Sequence, residues 1–325
     1  MKKIFILIPI IVLALSSCEY ERTIYLDDIP ITPHLVLNSL VGTDSDTAYF
    51  YITESVAIYS GNASPGVNDY VEPDYPIIED ADFSLTVNGE KRSIEYNYDE
   101  SAYILVGKLH EGDRVDVAVK HKNREIRSEA VLPAAPEIIS LDIDTVTRIE
   151  NGYYPEDYIK FELRIKDHPG RKDYYRLLVN NDFYFLEDGT PEQYIYYVVP
   201  YYTNDPVLTE GYNGTVPETS TGVWHQSFIS NYYSVFRDAL FAGEEYTLTF
   251  FVLLDSYAAD DGRRIAVRLQ TISEDLYKYY SSLQRNLQTG MDNVSEPAAI
   301  HTNIIGGLGI LGACNEVKAF EYKNF

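Results

Sequence analysis

An all-β fold is what this 325-residue sequence predicts, and three observations predict it. Thirty tyrosines stand against one tryptophan and 13 phenylalanines. Tyrosine favours strands, where its flat apolar ring packs and its hydroxyl reaches water. Short alternating segments recur between clusters of Gly, Pro, Asn and Asp. One stretch near the C-terminus carries the 3.6-residue period of an amphipathic helix. The expected architecture is an N-terminal immunoglobulin- or fibronectin-III-like β-sandwich (33–133). A larger β-sandwich-like domain (134–325) follows, with one amphipathic helix at about 273–289.

The chain opens with a secretory pattern. Lys2 and Lys3 precede an apolar stretch, Ile4 to Leu15, and Leu15-Ser16-Ser17-Cys18 forms a small-residue cleavage site. A dozen apolar residues fall short of the roughly 20 that a helix needs to cross the hydrocarbon core. A cysteine at the cut matches a bacterial lipobox, because its thiol accepts the lipid before cleavage. Residues 1–17 are therefore expected to be a lipoprotein signal peptide and 18–32 a lipidated tether, with Cys18 as the anchor. Each buried methylene contributes about 0.8 kcal/mol, so several acyl chains hold a protein without a spanning helix. No later stretch is long and apolar enough to be one.

The first domain follows from alternation. His34 to Asn38 and Thr47 to Ser55 are strand patterns, and Ser60 to Pro76 is a Gly-, Asn- and Pro-rich loop. Phe83, Leu85 and Val87 share one face, and Asn88-Gly89 then signals a hairpin. Strands are expected at 93–98 and 102–106, and Glu111-Gly112-Asp113 marks a turn. Val115, Val117 and Val119 alternate inward before 128–132 closes the sandwich. Pro133-Ala-Ala-Pro136 is a stiff connector that cannot continue a strand interior.

In the second half, strands are expected at 138–146 and 158–166, the latter with Ile159, Phe161, Leu163 and Ile165 on one face. Others follow at 173–180, 193–202, 246–254 and 264–271, with a turn or short helix at 234–243. Ser273 caps the helix, Glu274 and Asp275 fill its first turn, and Gly290 can end it. Its apolar stripe is Leu276, Tyr279 or Tyr280, Leu283 and Leu287.

Composition excludes several functions. The formal charge is −24, and removing residues 1–17, with two lysines and no acids, takes it to −26. Such a surface argues against nucleic acid as a partner, since phosphate binding depends on Lys and Arg. Apart from Cys18 the chain has one cysteine, Cys314, so no disulfide framework is expected. Cys314 sits in a glycine-rich apolar segment as a small buried hydrophobe. The six histidines show no metal-ligand spacing, and neither a metal nor a cofactor is expected. Asp255 with Asp260-Asp261-Gly262 departs from the calcium-loop spacing. Gly306-Gly307-Leu308-Gly309 lacks the Lys-Ser/Thr of a phosphate loop, so close packing or a bulge is expected.

The strongest contact surface in the sequence is aromatic. Tyr194, Tyr196, Tyr197, Tyr201 and Tyr202, with Trp224 beyond a polar loop, offer flat rings that stack on sugar faces or pack on a partner protein. The competing reading is that they line both faces of a strand.

Several segments in order resemble one family. They are Asp173-Tyr-Tyr-Arg-Leu177, Asp238-Ala-Leu-Phe-Ala-Gly243 with Tyr246-Thr-Leu-Thr-Phe250, and Ser273-Glu-Asp-Leu-Tyr277. Ser295-Glu-Pro297 and Asn303-Ile-Ile-Gly-Gly-Leu-Gly-Ile310 complete the set. The order resembles that of the DUF4249 family of Bacteroidota surface lipoproteins, over nearly the whole chain. Ala298 and Ala299 depart from the aromatic or charged residues common after Pro297. In such lipoproteins the acids just behind the cysteine, here Glu19 and Glu21, imply display on the outer face of the outer membrane.

The resemblance brings no activity that maps onto residues. It implies a companion of TonB-dependent outer-membrane transporters; with the tyrosine rings and the absence of a catalytic constellation in the sequence, the expectation is a non-enzymatic binding or accessory subunit with a glycan or peptide ligand. The alternatives are an adhesion or envelope-structural protein and a carboxylate-dependent hydrolase. One consequence is direct: Cys18→Ala should move a folded protein from the membrane fraction to the soluble fraction, as read by immunoblot. Retention in the membrane would contradict a lipid anchor at this residue.

Overall fold

The structure, a computed structural model, describes residues 32–56, 76–150, 154–187, 190–199, 201–209, 233–253, 264–290 and 298–321. The expected signal peptide, Cys18, the tether up to residue 31, the loop up to residue 75, Trp224 and the acidic stretch 255–262 lie outside them. Apart from Thr32, Pro33 and Val56, the described residues belong to one compact unit, His34–Ser55 with Pro76–Phe325.

Eight strands build the first half: β1 (Leu35–Gly42), β2 (Thr47–Glu54), β3 (Asp82–Val87), β4 (Glu90–Arg92), β5 (Glu95–Asn97), β6 (Ala102–Val106), β7 (Arg114–His121) and β8 (Arg124–Val131). They form β1-β2-β6-β5 on one side and β4-β3-β7-β8 on the other. In immunoglobulin terms this is A-B-E-D facing C′-C-F-G. The β3–β4 hairpin turns on Asn88 and Gly89, both at positive φ (53° and 81°), as a primed two-residue turn requires. Inward residues of both sheets, among them Leu37, Phe50, Leu85, Leu105, Val117 and Ile126, bury a common core.

The second half contributes β9 (Glu137–Glu150), β10 (Tyr154–Lys166), β11 (Tyr174–Glu187), β12 (Thr190–Val198), β13 (Val235–Arg237), β14 (Glu245–Leu253), β15 (Arg264–Ile272), helix α1 (Glu274–Gly290) and β16 (Leu308–Glu321). Strands β14-β10-β9 form a small antiparallel sheet. It packs on β11 and β15 across a second core that includes Phe161, Leu163, Tyr175, Leu177, Phe250 and Val267. Phe161 and Phe250 stack at 5.1 Å, and truncating either buried ring would cost about 3–5 kcal/mol. The all-β, sandwich-like fold with one helix near the C-terminus is thus observed.

One sheet runs through both halves, in the order β12-β11-β15-β16-β1-β2-β6-β5. Its joint is β16, a 14-residue strand that the alternation of the sequence does not disclose. The first half of β16 pairs in parallel with β1, from Val36↔Leu308 to Gly42↔Cys314. Its second half pairs antiparallel with β15, from Ile272↔Cys314 to Ala266↔Glu321. Leu311 and Ala313 enter the first core, whereas Ala319 and Phe320 pack on the second.

The glycine run permits this. A side chain at Gly306 would meet the Glu125 carbonyl oxygen at 2.7 Å, and one at Gly307 the Leu35 carbonyl oxygen at 2.5 Å. At Gly309 (φ +98°) a Cβ would collide with the Leu37 carbonyl oxygen. Just upstream, Ile305 bridges Arg127 of β8, so the segment leading into β16 passes from one sheet to the other and closes the edge of the first sandwich. The Asn303 amide fixes that turn, accepting from Leu311 N (3.0 Å) and donating to the Leu311 carbonyl (2.9 Å). Beyond Cys314, Asn315 accepts from the Thr43 hydroxyl (2.7 Å) and donates to the Pro133 carbonyl (3.0 Å), tying the proline connector to the joint.

Gly309→Ala should therefore destabilise the protein by at least about 2 kcal/mol, since left-handed strain and a backbone collision act together. Gly89→Ala, at φ +81° but in open space, should cost only about 1 kcal/mol. Urea midpoints compare the two, and equal losses would contradict this account of the joint.

Candidate functional site

Strand β11 shows two faces. Tyr175, Leu177 and Val179 fill the second core, while Tyr174 and Arg176 point to the opposite face, where α1 lies. Ser273 sets the helix in place: its N–H donates to the Ala313 carbonyl (2.8 Å), and its hydroxyl accepts from Ala313 N (3.2 Å) and Leu276 N (3.4 Å). Glu274 and Asp275 complement the helix N-terminus. Leu276 is buried over Gly312, where a Cβ would meet its side chain at 2.7 Å. The sequence therefore lets the helix sit close to β16.

That contact gathers tyrosines from three places. Tyr174 of β11 meets Tyr277 of α1 at 4.8 Å between ring centroids. Tyr233, just before β13, stacks on Tyr280 at 5.1 Å, and Tyr279 lies beside Tyr280 at 5.9 Å. All five rings are half-buried, so part of each remains open to solvent. The Arg176 guanidinium sits 4.7 Å from the Tyr280 ring centroid; its Nε donates to the Tyr233 carbonyl (3.1 Å) and its Nη1 to the Tyr280 hydroxyl (3.4 Å). Burial, aided by Glu274, pushes the Tyr174 hydroxyl up, and burial with Tyr280 does the same for Tyr279. Both stay neutral hydrogen-bonding groups at physiological pH. Next to Tyr233, Ser234 holds φ +58°, a strained conformation for a residue with a side chain. Its carbonyl accepts from Leu177 N (3.0 Å), which fixes the strained turn to the sheet.

A knot of buried aspartates supports this wall. Asp167 accepts from the Tyr175 hydroxyl (2.6 Å) and Gly243 N (2.7 Å). Asp238 accepts from Asp173 N (2.9 Å), and its own N–H donates to the Asp173 carbonyl (3.2 Å). Asp173 in turn pairs with Arg171 (2.8 Å) and lies 2.8 Å from His168 Nδ1. These carboxylates are occupied in holding the start of β11 to the 3-10 turn Asp238–Leu240 and the corner at Gly243. No three His, Cys, Asp or Glu among the described residues are arranged to hold a metal ion. Burial pushes the Cys314 thiol up to about 12, so it is an inert packing group rather than a nucleophile.

The tyrosine run named from the sequence divides. Tyr194, Tyr196 and Tyr197 lie on β12, the edge strand of the large sheet, opposite Tyr184, Asp182 and Asn181. The chain then crosses to the small sheet, where Tyr202 exchanges two 2.8 Å backbone hydrogen bonds with Phe251. Tyr201 packs on Phe250 (5.5 Å) and Tyr202 edge-on against the buried Tyr158 (5.5 Å). Tyr201 and Tyr202 thereby help close one side of the second sandwich. Asp205, three residues on, holds this crossing by accepting from Tyr246 Oη (3.0 Å), Thr249 N (3.1 Å) and Val207 N (2.9 Å). Cys18 and Trp224 lie outside the described residues. The five-tyrosine cluster around Arg176 was not identified as a site from sequence, although Tyr174, Tyr277 and Tyr280 fall in or beside the motifs Asp173-Tyr-Tyr-Arg and Ser273-Glu-Asp-Leu-Tyr.

Burial is the main influence on Asp238 and raises its pKa, against the opposing N–H of Asp173. A carboxyl raised in the folded state favours folding most below its unfolded pKa, and that advantage is lost as pH rises through the folded value. Asp238→Asn keeps the acceptor without the charge, so it should be neutral or stabilising at pH 7, with the difference from the parent shrinking toward pH 4. Asp238→Ala strands the Asp173 N–H and should cost about 1–3 kcal/mol. Urea unfolding across that range checks both, and a large loss in Asp238→Asn at pH 7 would contradict the assignment.

No curated protein matches this chain. A family model described as a domain of unknown function, DUF4249, matches residues 21–319. Within that match the Asp173 and Asp238 segments meet in the aspartate knot, the Ser273 segment caps α1, and the Asn303–Ile310 segment forms the joint with β1. The chain belongs to the DUF4249 family.

Proposed function

We propose that this protein is a lipoprotein anchored through Cys18 on the outer face of the outer membrane, where it serves as a non-enzymatic binding or accessory subunit of a TonB-dependent uptake system. The tyrosine cluster carries the reading: five half-open rings and an arginine are mounted on a sheet and a capped helix, beside a strained Ser234. Aromatic rings on a rigid support give large contact area at little entropy cost. The buried carboxylates nearby are engaged by backbone and side-chain donors, which suits support rather than proton transfer. The lipobox pattern ending at Cys18, with Glu19 and Glu21 behind it, supports the anchor and its outward display. No helix among the described residues is long and apolar enough to cross a membrane.

Affinity capture of the tagged full-length lipoprotein from detergent-solubilised outer membrane, followed by mass spectrometry, tests the accessory role. A TonB-dependent transporter should co-purify in stoichiometric amount. Its absence would overturn the role.

A further inference from the structure

We infer that the tyrosine cluster takes a sugar acid, with the sugar ring on the tyrosine faces and its carboxylate on Arg176. This rests on reading the cluster as a contact surface and names the ligand class for it.

Acidic residues outnumber basic ones by 50 to 26, and six described arginines find carboxylates, among them Arg171 with Asp173, Arg268 with Glu316, and Arg124 with Glu54. Among the described residues no carboxylate pairs with Arg176, whose contacts are a carbonyl, a tyrosine hydroxyl and a ring face. A guanidinium presents five N–H donors in one plane, and those two hydrogen bonds use Nε and one donor of Nη1. The remaining donors lie on the terminal nitrogens, the edge that grips a carboxylate bidentately. The ring contact with Tyr280 and the bond to Tyr233 hold the plane in a set orientation.

The surrounding chemistry specifies the rest of the ligand. Tyr174, Tyr277 and Tyr279 offer apolar ring surface for the C–H side of a pyranose, while Tyr280, stacked on Tyr233 and covered by Arg176, holds the guanidinium in place. The neutral hydroxyls of Tyr174 and Tyr279 can donate to or accept from sugar hydroxyls. A neutral sugar would gain the stacking alone. A free anion would gain the arginine alone, against the repulsion of an acidic surface. A ring that carries its own carboxylate gains both.

The test compares oligogalacturonate with its methyl ester, which keeps the ring and masks the charge, by calorimetry on the full-length lipoprotein in detergent micelles. The acid should bind roughly 10-fold or more tightly than the ester, the ratio expected of one charge-assisted contact. Arg176→Gln should collapse that ratio toward one, while Arg176→Lys, which keeps charge but loses the planar fork, should retain part of it. Tyr279→Ala should weaken both ligands. Melting temperatures establish that each variant is folded before it is titrated. Equal binding of acid and ester, an unchanged ratio in folded Arg176→Gln, or binding of neither ligand would overturn the proposal. Transporter capture uses a different readout, so failure here leaves the accessory role to stand or fall by that measurement.

Discussion

The rest of this structure depends on the close approach of β16 to β1. Parallel strands far apart in sequence gain their hydrogen bonds only after a large loop-closure cost. Here the pairing also requires backbone to lie where side chains would otherwise be, which is why residues 307 and 309 are glycine. Once made, the contact serves several elements. It completes the first core with Leu311 and Ala313, and it joins β1 to β15 through the shared partner Cys314. It also places Asn315 under the Pro133 carbonyl and Gly312 under Leu276 of α1. The proline connector at 133–136 therefore lies where one core gives way to the next, while a single sheet passes through both.

Polar groups inside the fold act mostly as fasteners. Asp167, Asp173, Asp238 and Asp205 are buried and accept from backbone N–H groups, tyrosine hydroxyls or Arg171. A carboxylate buried among such donors holds irregular chain segments that lack a ladder of their own, here the corner at Gly243 and the crossing at 201–209. The large acid count thus divides into a solvated surface and a small set of internal clamps. What these clamps leave exposed is aromatic: Tyr174 and Arg176 on one side, the tyrosines of α1 on the other, and Tyr233 held by a strained turn between them.

Much of the architecture was legible because it rests on alternation and turn chemistry. Val115, Val117 and Val119, or Ile159, Phe161, Leu163 and Ile165, announce one buried face, and Asn88-Gly89 announces its hairpin. The helix was legible from the Ser273 cap and the Leu276 stripe. Strand β16 was not, because both faces are covered over Ile310–Asn315 and the residues that let neighbours approach there are Gly, Ala and Cys rather than alternating large apolar side chains. Close packing at 306–309 was foreseeable from glycine; its partners, Leu35 and Leu37 of β1 and Glu125 of β8, were not. The aromatic site was obscured for a similar reason. Tyrosine density along the chain peaks at 193–202, where Tyr201 and Tyr202 pack against Phe250 and Tyr158. The cluster around Arg176 is dispersed over residues 174 to 280 and exists only after α1 docks on β16.

Hydrogen exchange of the full-length protein, read by mass spectrometry, tests this account most directly. If the β1–β16 pairing unites the two sandwiches, peptides covering Leu35–Gly42 and Leu308–Glu321 should be as strongly protected as those covering Tyr158–Lys166, all opening in one global event. Rapid exchange in β1 and the first half of β16, with the β10 peptide still protected, would contradict it.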